Sequence, residues 1–418
     1  MKSLYRTVAL CFTASLLVSC SGERVIHNQT EQTNITLSWW GNDSRNEYTI
    51  NAVEIFEELH PNIKVECSYS EWSGYESRNR VRMISDTETD VMQINFSWLN
   101  EYSSDGNGYY DIEQVADYIE LGNFSEDMLA YGRKNGILNA IPIAMNTETV
   151  YINKSIYDNY GIGVPDTWED FFSASKLMNK DGVYPLSGVA KSMWLYCISY
   201  AEQVSGKKIL DEKGKLNFSE KELQIMINFY VRLVNENVVP QVENYQKYNI
   251  DNGIYAGAIA WVSDAENHFG NSENSGNTIT VASYTADSAE NAGTGWYAKP
   301  ATLYAISKNT EHPKESAILL DFLLNSAEMA ELQGVEKGIP LSKSARECLK
   351  ENGMLNGIQY EAALKMEENS NLSQMNPKLE NTVLINEFID SCNLVLYDKD
   401  SSENASVQLY KTIIENIG

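Results

Sequence analysis

The stretch AIPIAMNTETVYINKSIY, Ala140 to Tyr157, decides how this chain is read. It opens as a short apolar strand, Ile141-Pro142-Ile143-Ala144, and meets the polar pair Asn146-Thr147. Strand-like alternation resumes at Val150-Tyr151-Ile152, and Asn153 with Ser155 then opens a helix. A polar break inside an apolar segment is what a chain needs where it leaves one domain for another through a wet cleft. An ordinary strand–loop–strand has the same local pattern, so the flanking segments must decide between them.

Upstream, Ile35-Thr36-Leu37-Ser38-Trp39-Trp40 reads as a strand ending in Gly41-Asn42-Asp43-Ser44-Arg45. Ile50, Val53, Phe56 and Leu59 recur at helical spacing until Pro61, and Ile63, Val65 and Cys67 alternate as a second strand. This is a β-α-β unit, whose right-handed crossover implies a parallel pair. Ligands of open α/β sheets sit beyond the carboxyl ends of the strands, which places Trp40 to Arg45 at a cleft edge. A further strand, Asp90 to Leu99, also ends in polar and aromatic residues, Asn95, Ser97 and Trp98. Downstream, Thr167 caps a helix bearing Trp168, Phe171 and Phe172, and a helix begun near Ser219 is stopped by Pro240. Gly257 to Val262 is a buried-looking strand leading into Ser263-Asp264, and Ile279–Val281 and Leu303–Ile306 are strand-like. His312-Pro313 opens a strong helix, Ser326 caps the next, and the region from Leu341 onward is helical by pattern.

A chain of 418 residues is too long for one ordinary core. Its 58 acidic and 32 basic side chains give a net charge of −26, a surface that repels nucleic acid and anionic headgroups. Lys2 and Arg6 precede the apolar run Val8 to Val18, which is shorter than the roughly 20 residues a membrane span needs and fits a signal-peptide core. The run ends in Leu17-Val18-Ser19-Cys20, which looks like a bacterial lipobox. Residues 1–19 then form the signal peptide, and 20–33 a lipidated Cys20 with its polar tether. Cys67, Cys197, Cys348 and Cys392 are widely separated and fit either disulfides or small buried hydrophobes.

No phosphate-binding glycine loop, dinucleotide fingerprint, H-E-x-x-H or G-x-S-x-G motif occurs. His27, His60, His268 and His312 have no metal-ligand spacing, and Asp398, Asp400 and Ser402 echo a calcium loop without its glycine or terminal Glu. Neither a cofactor nor a metal is expected. What the chain does carry is 25 Tyr and 8 Trp alongside many amides. A sugar is bound by planar polar side chains that satisfy paired hydroxyls and by aromatic faces against its C–H surface. Asn42, Asp43, Asn95, Asn146 and Asp264 are candidates of the first kind, and Trp40, Trp72, Trp98, Trp194 and Trp296 of the second. Trp39 points opposite to Trp40 on the strand and is expected in the core.

Four segments taken together resemble the bacterial extracellular solute-binding proteins of family 1, the lipid-anchored sugar receptors of ABC importers. They are ITLSWWGNDSR (35–45), AIPIAMNTETVYINKSIY with VPDTWEDF (164–171), GAIAWVSDAENHF (257–269), and ATLYAISKNTEHPKESAILLDFLLNSAEMAELQGVEKGIPLS (301–342). With the lipobox they span the chain in the family's order. The resemblance implies an α/β fold of two lobes joined by hinge crossings, with ligand held between them. Lobe 1 would be 34–144 plus 288–340, and lobe 2 would be 145–287 plus 341–418. Positions matching the family's cleft are Asn42, Asp43, Arg45, Trp72, Tyr75, Asn95, Trp98, Asn146, Lys191, Trp194, Asp264, Trp296 and Tyr297. Maltose-type members often have a carboxylate where this chain has Asn146, so a malto-oligosaccharide preference does not carry over. The implied function is a monomeric, non-enzymatic receptor for a carbohydrate, an oligosaccharide, that does not bind nucleic acid, is held on the outer face of the cytoplasmic membrane through Cys20 and serves an ABC permease. Other readings are the same receptor for a non-sugar solute such as a polyamine or amino-sugar derivative, a surface glycoside hydrolase or lyase, and a structural adhesin.

Overall fold

The computed structural model describes residues 32–417, so the expected signal peptide, Cys20 and nearly all of the tether lie outside the described residues. Strand β1 (Thr33–Trp40) leads through helix α1 (Asp43–Leu59) to β2 (Ile63–Ser70), and β1 and β2 pair in parallel over their full length. Asn42 caps α1, its side chain accepting from the Arg45 amide at 2.9 Å, a contact of a kind that contributes about 1 kcal/mol. Helix α2 (Trp72–Ser85) then returns the chain to β3 (Val91–Ile94), which lies parallel to β1 on its other side. A small hairpin of β4 (Arg133–Lys134) and β5 (Ile137–Leu138) precedes the long strand β6 (Ala140–Asn153).

Strand β6 corrects the expected polar break: it is one continuous strand of 14 residues, all of them buried. Its first part, through Thr147, pairs antiparallel with β9 (Tyr297–Ile306). The second part pairs antiparallel with β7 (Gly257–Trp261) and β8 (Ile279–Val281). Asn146 and Thr147 do not interrupt the ladder because their side chains find protein partners. Asn146 is joined to Ser263, and the Thr147 hydroxyl donates to the Tyr297 carbonyl at 2.9 Å. At Asn153 the strand ends in a helix cap, the side chain accepting from the Ile156 amide.

The large sheet runs in the order β2-β1-β3-β9-β6-β7, with β10 (Ser373–Gln374) added parallel to β9. Register shifts beside Ala144 bulge β6, and the Ile143 carbonyl there accepts from the Leu341 amide at 2.9 Å. A third segment of chain is thereby tied to the same point. Gly338, at φ +101°, brings it there, since a Cβ would lie 2.7 Å from the Ala144 Cβ.

Two large cores flank this crossing. One gathers Ile35, Leu37, Trp39, Phe56, Ile141, Ile143, Tyr304 and the helix Pro313–Asn325. The other gathers Val150, Ile152, Trp168, Phe172, Trp194, Phe229, Phe388 and Leu409. Helix capping in the second core is strong. Thr167 with Asp170 and Ser219 with Glu222 form reciprocal capping boxes at Trp168–Met178 and Glu220–Asn235. All four cysteines after Cys20 are free thiols, with Cys197 and Cys392 buried. Among the described residues, no helix is long and apolar enough to cross a membrane, and no cluster of three or more His, Cys, Asp or Glu could hold a metal.

Candidate functional site

Beyond the carboxyl ends of β1 and β3, where the sheet passes from β9 to β6, lies a cavity of about 90 Å³. Trp40 from the end of β1, Arg45 from α1, Gln93 from β3 and Thr302 from β9 line it. Asn146 and Ser263 close it from the side of β7, and Glu336 and Lys337 from the chain segment preceding Gly338. Asn146 is 7% exposed and makes a reciprocal pair: its amide donates to Ser263 Oγ at 2.9 Å, and the Ser263 N–H donates to its Oδ1 at 3.2 Å. This pair joins the middle of β6 to the end of β7. Arg45 reaches across to Glu336, with Nε 3.1 Å from Oε1 and Nη2 3.0 Å from the Glu336 carbonyl.

Trp40 is half-buried at the head of an aromatic cluster. Its ring lies 5.0 Å from Trp72, 5.4 Å from Tyr75 and 6.2 Å from Trp98. Trp72 is the exposed member at 38%, whereas Trp98 and Tyr75 are buried beneath it. The Tyr75 hydroxyl is spent on the Gln93 carbonyl at 2.7 Å, so this residue supports β3 rather than the cavity. Trp39 faces the opposite way into the first core, stacked on Tyr69 at 4.8 Å.

Several expected site residues are placed elsewhere. Trp194 is fully buried in the second core with its indole N–H on the Leu379 carbonyl at 2.9 Å. Trp296 is 4% exposed and donates to the Thr285 carbonyl. Both rings have ordinary core surroundings and satisfied donors, which corrects their expected place at a ligand. Asn95 accepts from the Ser97 amide and hydroxyl at 2.9 Å, forming the turn before the helix Trp98–Tyr102. Asp43 is exposed in the first turn of α1, and Asp264 faces Asn267 and His268 at the start of the helix Ala265–Asn274. Trp40, Arg45 and Asn146 are thus the expected residues that the fold brings together at the cavity, with Asn42 at its margin, 3.5 Å from Glu336.

A second and larger groove, about 1050 Å³, has Phe96, Asn100 and Lys134 on one wall. Lys208, Asn217 and the segment around β10 form the other, and Tyr297 is the expected site residue that touches it. The Tyr297 hydroxyl is bonded to the buried Glu202.

Near the middle of β6 lies a charged cluster in which Glu380 receives two lysines. Lys191 stands at 3.0 Å and Lys299 at 2.5 Å, and Lys299 also lies 4.8 Å above the Trp261 ring. Lys299 is the cross-strand partner of Asn146. Glu148, two residues further along β6, is buried and accepts from Ser192 at 2.8 Å. Burial pushes its carboxyl up to about 7, while the Ser192 bond and Lys191 oppose the shift. A raised folded-state value means that its stabilising contribution is present below the unfolded pKa and lost as pH rises through 7. Glu148→Gln is therefore expected to stabilise the protein by about 3 kcal/mol at pH 8 and by little at pH 4.5, read by urea denaturation at both values.

Gln93, Ser263, Thr302, Glu336 and Lys337 were not singled out from the sequence. Glu336-Lys337 is a charged pair set against Gly338-Ile339-Pro340, and that juxtaposition is the signal that could have found it.

Residues 42–330 match the family described as bacterial extracellular solute-binding protein. Among curated proteins, the melibiose/raffinose/stachyose-binding protein MelE of Bacillus subtilis (strain 168) is 27% identical over 181 residues, 42% of this chain and 40% of that protein. The match thus spans about two-fifths of that relative's length. The periplasmic solute-binding protein ECA2210 from Pectobacterium atrosepticum SCRI1043 superposes with a TM-score of 0.83 at 28% identity, covering 93% of this chain and 100% of that one. A periplasmic oligogalacturonide-binding protein from Yersinia enterocolitica, in complex with saturated digalacturonic acid, gives 0.79 at 29% identity, covering 92% and 98%. With more than half of its length matched and the same α/β fold, the chain belongs to the bacterial extracellular solute-binding protein family, a family of solute-binding receptors rather than enzymes.

Proposed function

We propose that this receptor is anchored by a lipidated Cys20, captures an oligosaccharide between two lobes, and passes it to a membrane permease. The observation that carries the reading is the cavity at the crossing of β6 and β9. There Trp40 lines the same cavity as the amide and hydroxyl groups of Gln93, Asn146 and Ser263. The sugars named for MelE and for the Yersinia protein support an oligosaccharide as ligand. Arg45 and Lys337 in the cavity wall disfavour a polyamine.

The lobes are taken as 34–144 with 288–340, and 145–287 with 341–418. Trp296 and Tyr297 pack in the second core, which favours moving the exchange on β9 to about Ala298. Helix Lys343–Glu351 packs Ala345 and Leu349 on Ala330, which favours carrying lobe 1 through to its end. Closure is a population shift: a sugar touching both lobes stabilises the closed state more than the open one. The Asn146–Ser263 pair lies where the motion would be taken up.

Calorimetry of the mature chain against a panel of neutral and acidic oligosaccharides tests the receptor reading. One sugar per chain is expected to bind, and Trp40→Ala should weaken it about 10- to 100-fold by removing the stacking face. Tight binding of a peptide or metal with no binding of any sugar overturns the reading. Labelling of the wild-type chain by a palmitate analogue, lost in Cys20→Ser, tests the anchor separately.

A further inference from the structure

We propose that the cavity at the strand crossing is a carboxylate subsite, in which Lys337 Nζ and Arg45 Nη1 receive the acid group of a uronic-acid-containing oligosaccharide beside Trp40. This rests on the oligosaccharide-receptor reading and names the class of sugar.

Lys337 is 3% exposed and lines the cavity. Its ammonium donates to Tyr304 Oη at 2.8 Å, and among the described residues no carboxylate lies within ion-pairing distance of it. The remaining surroundings are aromatic: the Tyr304 and Tyr48 ring centroids are 5.1 and 5.7 Å away. An amine buried without a counter-ion is expensive, and such groups cluster where a ligand supplies the missing charge. Arg45 is likewise incompletely used. Glu336 occupies Nε and Nη2, while Nη1 has no hydrogen-bond partner among the described residues.

A third unmet group lies in the same wall. Gln93 is 1% exposed, and its Oε1 is buried without a hydrogen-bond partner among the described residues. It is an acceptor and suits a sugar hydroxyl, as the two cations suit an acid. The wall therefore offers two cations against one carboxylate, Glu336, in a chain whose net charge is −26. A volume of about 90 Å³ has room for several waters, which fits an acid group better than a whole oligosaccharide. A neutral hydroxymethyl group entering the same space would leave Lys337 without its counter-ion, and a site built around a buried polar group rejects such an analogue strongly.

The groups facing the amine are Arg45, Glu336, Tyr48 and Tyr304. Burial, and then Arg45, pull its pKa down to about 7, while Glu336 opposes them. An acid placed beside it raises that value again, so binding near neutral pH takes up a proton.

The test is calorimetry of the mature wild-type chain at pH 7 with digalacturonate, neutral galactobiose and raffinose, each in two buffers of different ionisation enthalpy. Digalacturonate is expected to bind about 100-fold more tightly than either neutral sugar, with buffer-dependent heat from proton uptake. Lys337→Met, checked for folding by its melting curve, should lose about 100-fold in digalacturonate affinity together with the buffer dependence. A wild-type chain that binds galactobiose or raffinose as tightly as digalacturonate overturns the subsite and leaves the receptor reading standing. Failure across the whole oligosaccharide panel overturns both.

Discussion

Lys337→Met is expected to stabilise the ligand-free protein by about 4 kcal/mol at pH 6. The amine is held at about 7 against a usual value of 10.5, mainly by burial, so the folded state resists its protonation. Its folded pKa is lower than its unfolded one, and the unfolded chain therefore binds more protons between about 7 and 10.5. Wild-type stability should rise with pH across that window, and the penalty is present in full below it. Methionine has a similar length and no charge to desolvate, and its main cost is the lost hydrogen bond to Tyr304, about 1 kcal/mol. Urea denaturation at pH 6 and pH 10 measures the effect: the variant should be the more stable at pH 6, with the difference shrinking at pH 10. A variant less stable than wild type at pH 6 would show that the amine is not an uncompensated buried charge. Stability gained where ligand affinity is lost is the usual signature of a side chain kept for binding.

Glu380→Ala is expected to cost about 3–5 kcal/mol, because it removes one partner of a largely buried ion cluster and leaves the others. Burial acts to raise the Glu380 carboxyl, yet Lys299 and Lys191 hold it below the usual carboxylate range. Without it, Lys299 and Lys191 keep only the buried Glu148 as a nearby carboxyl, with the Lys299 side chain 14% exposed above the Trp261 ring. Because the folded carboxyl is depressed, the wild-type contribution is present above the unfolded pKa and lost as pH falls through the folded value. The variant should therefore differ most from wild type at pH 7 and approach it in acid. Chemical denaturation at the two pH values reads this directly, and a loss below about 1 kcal/mol at pH 7 would show the cluster to be solvent-screened. Lys299 pairs across the strands with Asn146, so the loss should extend to the region where the cavity closes.

The fold was legible where one local rule sufficed. Phe56 and Val53 at helical spacing, the Asn42 cap and the alternation at Ile63 define a β-α-β unit that the structure reproduces in parallel register. Thr167 and Ser219 announce their helices in the same way. The break read at Asn146-Thr147 was misleading, because polarity in a strand signals a loop only when no partner waits. Here Ser263 and the Tyr297 carbonyl, both distant in sequence, satisfy those side chains. The residues lining the candidate cavity were legible in part for a related reason. Trp40, Arg45 and Asn146 follow from strand ends and the crossing. Trp194 and Trp296 have the same composition as ligand-stacking residues but the surroundings of a core. Lys337 gave no periodic signal, since its meaning comes from burial and from the absence of a carboxylate beside it.

Small-angle scattering of the mature chain during titration with the sugar that calorimetry identifies tests the central claim most directly. The radius of gyration should fall as sugar is added and level off at one ligand per chain, because contacts to both lobes favour the closed state. A sugar that binds with no contraction, or binds equally well after Trp40→Ala, would contradict an interlobe site at the crossing of β6 and β9.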